Sequence, residues 1–115
     1  MSAENQELPI EVDVHHVKAL QDAGEQFLFI DCREKDEYET ACIAGATLIP
    51  MSEMQDRSEE LAQHKEKHII VHCHHGGRSM RVTRWLKGQD FAKVQNMAGG
   101  IDAWSQEIDD SVPRY

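Results

Sequence analysis

Two hydrophobic periods alternate along the chain. Behind Asp13, a good N-cap, Val14, Val17 and Leu20 recur at helical spacing, and Gly24 supplies the stop. The next apolar run, "FLFID" (27–31), is continuous and closes on an acid, as in a strand buried on both faces. "CREKDEYETA" (32–41) is charged and helix-permissive, and a turn at Gly45 leads to a short strand in "ATLIP" (46–50). Ser52 with Gln55 forms a capping-box pattern that predicts a helix running to about His64. "HIIVH" (68–72) carries the clearest strand signal. After it, Met80, Val82, Trp85 and Leu86 make a helical stripe ending at Gly88. "KVQNM" (93–97) predicts a short strand, "AGG" (98–100) a turn and "IDAWSQEI" (101–108) a last helix. The first seven residues are polar and expected to fray, and those after the last helix read as a tail.

Strands alternating with helices predict an α/β fold, a central, mostly parallel sheet with helices on both faces. Ligands of such sheets bind beyond the carboxyl ends of the strands. Both "DCR" (31–33) and "CHHGGR" (73–78) fall at such ends.

Composition narrows the class. The 115 residues suit a single domain, 1–115, with its core in about 10–108 and short flexible tails. A chain of this length buries roughly two thirds of its unfolded surface, so folding requires no disulfide or metal staple. The apolar clusters "FLFI" and "IIV" are too short to span a bilayer, and the opening "MSAENQELPI" lacks the pattern of a signal peptide. A cytoplasmic protein with no membrane association is the expectation. The net charge of −9 argues against a nucleic-acid partner. Residues 1–60 carry a net −11 and residues 61–115 a net +2. Arg78, Arg81, Arg84 and Lys87 follow the glycine turn at three-residue intervals, either as a solvated helix face or as a positive field that draws anions to the turn.

Cysteine usage brings in the chemistry. Cys32, Cys42 and Cys73 are three in number and include no C-x-x-C, so reduced thiols are expected. Cys73 stands between a strand and a glycine turn in "HIIVHCHHGGRSM" (68–80). Such a thiol could be a metal ligand, a redox thiol, a phosphatase nucleophile or a sulfur carrier. Where a loop curls over into a helix start, the amides of 74–79 lack intrahelical partners and can converge as an anion nest. Gly76 and Gly77 permit the positive φ angles of that curl. A thiol at the focus of the nest would have its pKa lowered, and His74, His75 and Arg78 could add to the effect. No metal site is expected, because adjacent side chains in "HCHH" diverge and no second Cys or His cluster completes a tetrahedron. His15 and His16 are too remote a possibility to alter that.

The loop "C73-H-H-G-G-R-S79" resembles the active-site loop of the rhodanese sulfurtransferases. Two further stretches carry the same resemblance: "FIDCREKDEYETACIAGATLIP" (29–50) the early signature, and "MAGGIDAW" (97–104) the closing one. The resemblance implies a rhodanese-like fold and a double-displacement reaction. Cys73 would take the outer sulfur of a small sulfur-containing anion such as thiosulfate, release sulfite and hold a persulfide. Cyanide or a thiol, including a protein thiol, would then accept that sulfur. Residues His74, His75, Gly76, Gly77, Arg78 and Ser79 would form the persulfide-binding loop, and no metal or organic cofactor is implied. Related phosphatases and arsenate reductases place five residues between cysteine and arginine; here there are four, a tighter ring suited to one sulfur atom.

Arg78 retains two possible roles, holding the anionic donor or bracing the loop through an acid such as Asp31 or Glu34. Asp31 and Arg33 match positions read as structural. The chain departs from the family at "A41-C42-I43", where Gly-His-Ile is common. Cys32 and Cys42 read as small buried residues, with a resolving thiol that attacks the persulfide as the functional alternative. His74 and His75 either tune the donor site or face solvent. The rival readings are a sulfur-relay module acting on a protein thiol, a phosphatase or arsenate reductase-like enzyme, and a non-catalytic interaction domain.

Overall fold

A computed structural model describes residues 8–115; the expected fraying of the first seven lies outside the described residues. Five strands form one parallel sheet: β1 (Glu11–Val12), β2 (Leu28–Asp31), β3 (Thr47–Leu48), β4 (Ile69–His72) and β5 (Val94–Met97). Their order is β1-β5-β4-β2-β3, which puts β4 at the centre. The helices are α1 (Val14–Asp22), α2 (Lys35–Thr40), α3 (Ser58–Ala62), α4 (Gly77–Gly88) and α5 (Gly100–Glu107).

The continuous apolar runs are strands because both faces of the sheet are covered. Successive residues alternate between two cores. Ile30, Ile69 and Val71 face one with Leu61, Val82 and Leu86 from α3 and α4. Phe29 and Ile70 face the other with Val17, Ile101 and Trp104 from α1 and α5. Asp13 caps α1 as its sequence predicts, its Oδ1 accepting from the His16 N–H at 2.8 Å.

The structure departs from expectation in three places. Strand β1 pairs with β5 in register Glu11↔Asn96 and Val12↔Met97, and two residues are too few to show a period. No helix runs from Ser52 to His64. A 3-10 turn at Met51–Glu53 precedes the short α3, and the Ser52 hydroxyl donates to Glu34 Oε1 at 2.8 Å instead of capping. The residues read as a C-terminal tail pack back on the domain. Val112 is buried, its carbonyl accepting from Ser105 Oγ at 2.5 Å, and Arg114 donates to Asp102 at 3.0 Å. Among the described residues, no helix is long and apolar enough to cross a membrane.

Candidate active site

Cys73 is the first residue past the carboxyl end of the central strand, and is 1% exposed. The chain then turns at Gly76, whose φ of 111° is open to glycine and strained for other residues, and enters α4 at Gly77. This turn brings two amides onto the sulfur. The Gly76 N–H donates to Cys73 Sγ at 3.1 Å and the Ser79 N–H at 3.3 Å. Among the described residues, the amides of His74, His75, Gly77 and Arg78 find no acceptor. The sulfur thus takes two of the six loop amides and four remain without an acceptor.

The loop is held from behind by α5. Its first amides, of Ile101 and Asp102, donate to the carbonyls of Cys73 (2.9 Å) and His74 (3.1 Å). Gly100 permits that approach: its φ is 59°, and a Cβ there would collide with both carbonyl groups. The closing "AGG" is thus a packing surface for the cysteine loop as well as a turn.

Ser79 Oγ lies 3.3 Å from the sulfur, 3.2 Å from the Gly76 carbonyl, and close to Asn96 Oδ1. Its single proton serves one of these acceptors at a time. Asn96 is oriented in turn by Glu11, to which its amide donates at 2.8 Å.

The second cysteine at the sulfur is Cys32, fully buried beyond the end of β2. Each of these two thiols is the largest influence on the titration of the other. Cys73 is held well below the ordinary thiol pKa, by the Cys32 S–H first, then by the Ser79 hydroxyl and the Ser79 and Gly76 amides, against opposing burial. Cys32 is pushed up by the same hydrogen bond, by burial and by the neighbouring negative charge. The pair is one thiolate and one thiol, with the charge on Cys73. Beside it, burial pushes the His72 pKa down against the attraction of Asp31, and His72 Nδ1 lies 3.2 Å from the Cys73 carbonyl it donates to.

Arg78 has a partner. Its guanidinium makes two bonds to Glu37, 2.7 Å to Oε1 and 2.9 Å to Oε2, bracing the loop against α2. The acid is neither Asp31 nor Glu34. Asp31 is taken by Arg33, through Nε at 2.9 Å and a second guanidinium nitrogen at 2.6 Å, and Glu34 accepts from Ser52. Arg33, fully buried, also donates to the Ala41 carbonyl at 2.6 Å and to the Tyr115 hydroxyl at 2.8 Å. Tyr115 donates onward to Glu37 at 2.8 Å. Glu37 is pushed down to about 2, chiefly by Arg78 and also by the Glu34 amide and Tyr115, with burial opposing.

Neither loop histidine touches the sulfur. The His74 ring is stacked between His75 and Tyr115, with centroids 4.0 Å away on each side. His75 is exposed, with Nδ1 3.8 Å from Asp102. Cys42 is exposed, a correction to its reading as a small buried residue, whereas Cys32 fits that reading. No cluster of three metal-ligating side chains occurs among the described residues.

A parallel α/β sheet with a cysteine at the mouth of its central strand, inside an amide-lined loop, defines the class. The chain belongs to the rhodanese-like domain family, whose profile matches residues 13–107. Among individual relatives it is 38% identical over 104 residues to YrkF of Bacillus subtilis (strain 168), a candidate sulfur carrier protein, covering 90% of this chain and 55% of that one. It is 38% identical over 74 residues to the thiosulfate sulfurtransferase GlpE of Coxiella burnetii, covering 64% of this chain and 67% of that one. The fold matches a rhodanese-like domain protein from Staphylococcus aureus with a TM-score of 0.78 at 22% identity, over 93% of this chain and 99% of the other. The chain spans 29% and 21% of two further curated relatives, so these proteins contain much that it does not.

Proposed function

We propose that this domain is a sulfurtransferase that carries sulfane sulfur as a persulfide on Cys73. The observation that carries the reading is the hydrogen bonding of the Cys73 sulfur by the Gly76 and Ser79 amides, in a loop whose other amides have no acceptor among the described residues. The thiolate attacks the outer sulfur of a donor such as thiosulfate, and the sulfur–sulfur bond of the donor breaks to release sulfite. The persulfide's terminal sulfur is anionic, and the unpartnered amides stabilise it as an oxyanion hole stabilises oxygen. A thiophilic acceptor, cyanide or a thiol, removes that sulfur and regenerates the thiolate. No residue of the loop needs a metal for these steps. In a reducing compartment such as the cytoplasm, the free thiols this chemistry requires persist.

A phosphatase reading fits less well. Four residues separate Cys73 from Arg78, and both guanidinium bonds from Arg78 go to Glu37, leaving no arginine fork on a tetrahedral oxyanion. Sulfur relay to a protein thiol has support in the likeness to YrkF. It differs from the first reading only in the acceptor.

Intact-mass measurement after incubation with thiosulfate tests the proposal. A one-sulfur adduct is expected, discharged by cyanide and absent in Cys73→Ser. No adduct with thiosulfate or polysulfide would overturn it. Faster discharge by protein thiols than by cyanide would assign the domain to sulfur relay.

A further inference from the structure

The reaction above leaves Cys32 as a hydrogen-bond donor only, yet the sheet gives it a second capability. Strands β2 and β4 are parallel neighbours in register Asp31↔His72, and the Cys32 N–H donates to the His72 carbonyl at 3.0 Å, carrying the ladder one residue on. Cys32 and Cys73 are therefore next in register. Neighbouring parallel strands lie about 4.8 Å apart, inside the roughly 4.4–6.8 Å between Cα atoms that a disulfide spans. The two side chains also share a face, since residues two apart in a strand point the same way. Cys32 follows Ile30 and Cys73 follows Val71, and all four lie in one core cluster. Cys42, the third thiol, is exposed beyond α2 and has no such register with Cys73.

Building on the persulfide reading, we propose that Cys32 is a resolving thiol: it attacks Sγ of the Cys73 persulfide, expels the outer sulfur as hydrosulfide and closes a Cys32–Cys73 disulfide. The step balances without an outside oxidant. The Cys32 sulfur forms a bond to Cys73 Sγ while the bond from Sγ to the outer sulfur breaks. The electron pair of that broken bond leaves with the outer sulfur, and the Cys32 proton goes with it, giving HS⁻. The sulfane sulfur is reduced and the two cysteine sulfurs are oxidised. A thiol or dithiol reductant then reopens the disulfide and restores the starting pair. The Cys32 proton has the outer sulfur as its acceptor, so the attacking sulfur becomes a thiolate as the leaving sulfur takes up the proton. The added activity is the release of sulfide by attack from within the protein, an external thiol being needed only to reopen the disulfide.

The test uses wild type, Cys32→Ser and Cys32→Ala, each loaded with thiosulfate and then freed of small molecules. Intact mass is followed over time, and released sulfide is trapped with a bimane reagent. In wild type the one-sulfur adduct should give way to a species two hydrogens lighter than the reduced protein, with one sulfide released per disulfide. Peptide mapping should join Cys32 to Cys73. Both variants should keep the adduct at least tenfold longer and release no sulfide, yet still form thiocyanate with cyanide. An adduct that lasts as long in wild type as in the variants would overturn the resolving role and leave the carrier role intact. A disulfide that joins Cys42 instead would also overturn it. Neither adduct nor disulfide in wild type, with no adduct in either variant, would overturn both. Should either variant fail to fold, the wild-type mass series and peptide map decide alone.

Discussion

At the Cys73 sulfur, two backbone amides, a serine hydroxyl and a thiol compete with a buried environment, and the donors prevail. A thiol held below its ordinary value of 9.0 is charged across neutral pH. The rate of iodoacetamide alkylation should therefore already be at its plateau near neutrality, and fall only when acid protonates the sulfur. A midpoint close to 9 would contradict the geometry. Cys32→Ala removes a donor and should raise the midpoint by about one unit or more, whereas Cys32→Ser keeps a donating hydroxyl and should move it less. Gly100 makes a different kind of demand. Its positive φ and its approach to the Cys73 and His74 carbonyls leave no room for a methyl group. Gly100→Ala should lower stability by about 2 kcal/mol or more in urea denaturation, and should slow persulfide formation by displacing the loop.

At the level of elements, the cysteine loop is clamped between two helices. Helix α5 binds its carbonyls, and α2 binds Arg78 through Glu37. The Glu37–Arg78 pair is partly exposed, and solvent screening reduces its worth. Glu37→Gln should reduce stability by about 1 kcal/mol, and a larger effect is expected on the persulfide-forming rate, because the loop loses its brace. The sign of the pH dependence follows from the depressed carboxyl. Glu37 is ordinarily at 4.5 when free and is near 2 in the fold, so its stabilisation is complete above 4.5 and is lost as the pH falls toward 2. Acid titration of wild type against Glu37→Gln, followed by circular dichroism, should show wild type losing more stability in that window. Equal slopes would show that the pair adds nothing.

Across the whole molecule, the chain's last residue reaches the site. Tyr115 stacks on His74 with the rings 7° from parallel, accepts from Arg33 and donates to Glu37. One network thus runs from Asp31 at the end of β2, through Arg33, Tyr115 and Glu37, to Arg78 in the loop. Tyr115 is 41% exposed, so Tyr115→Ala should cost less than about 1 kcal/mol in denaturation. It should free the His74 ring, seen as a changed imidazole shift in NMR spectra. An unchanged His74 resonance would show that the stack does not persist in solution. The acidic first half supplies the partners of this network, Asp31 and Glu37, while the arginine of the loop comes from the basic second half.

The sequence by itself determined the α/β alternation, the place of Cys73 at the end of a buried strand and the glycine turn that follows it. Each depends on residues near one another in the chain. Continuous apolar runs, a capping aspartate and a turn glycine act locally, and local rules read them. Of the two loop glycines only Gly76 takes the positive φ expected of both, Gly77 being the first residue of α4. Even there, the Ser52 capping pattern failed, because Glu34, distant in sequence, claimed the hydroxyl. Only the tertiary structure decided the partners. The acid for Arg78 is Glu37 because the turn after β2 brings α2 beside the loop, while Arg33 has already taken Asp31. Tyr115 reaches His74 because the residues after α5 fold back on the domain. Cys32 and Cys73 lie far apart in the chain and come side by side because β2 and β4 are parallel neighbours in a single register. Strand order and register are settled by the packing of the whole sheet, and they turn two separate cysteines into one dithiol.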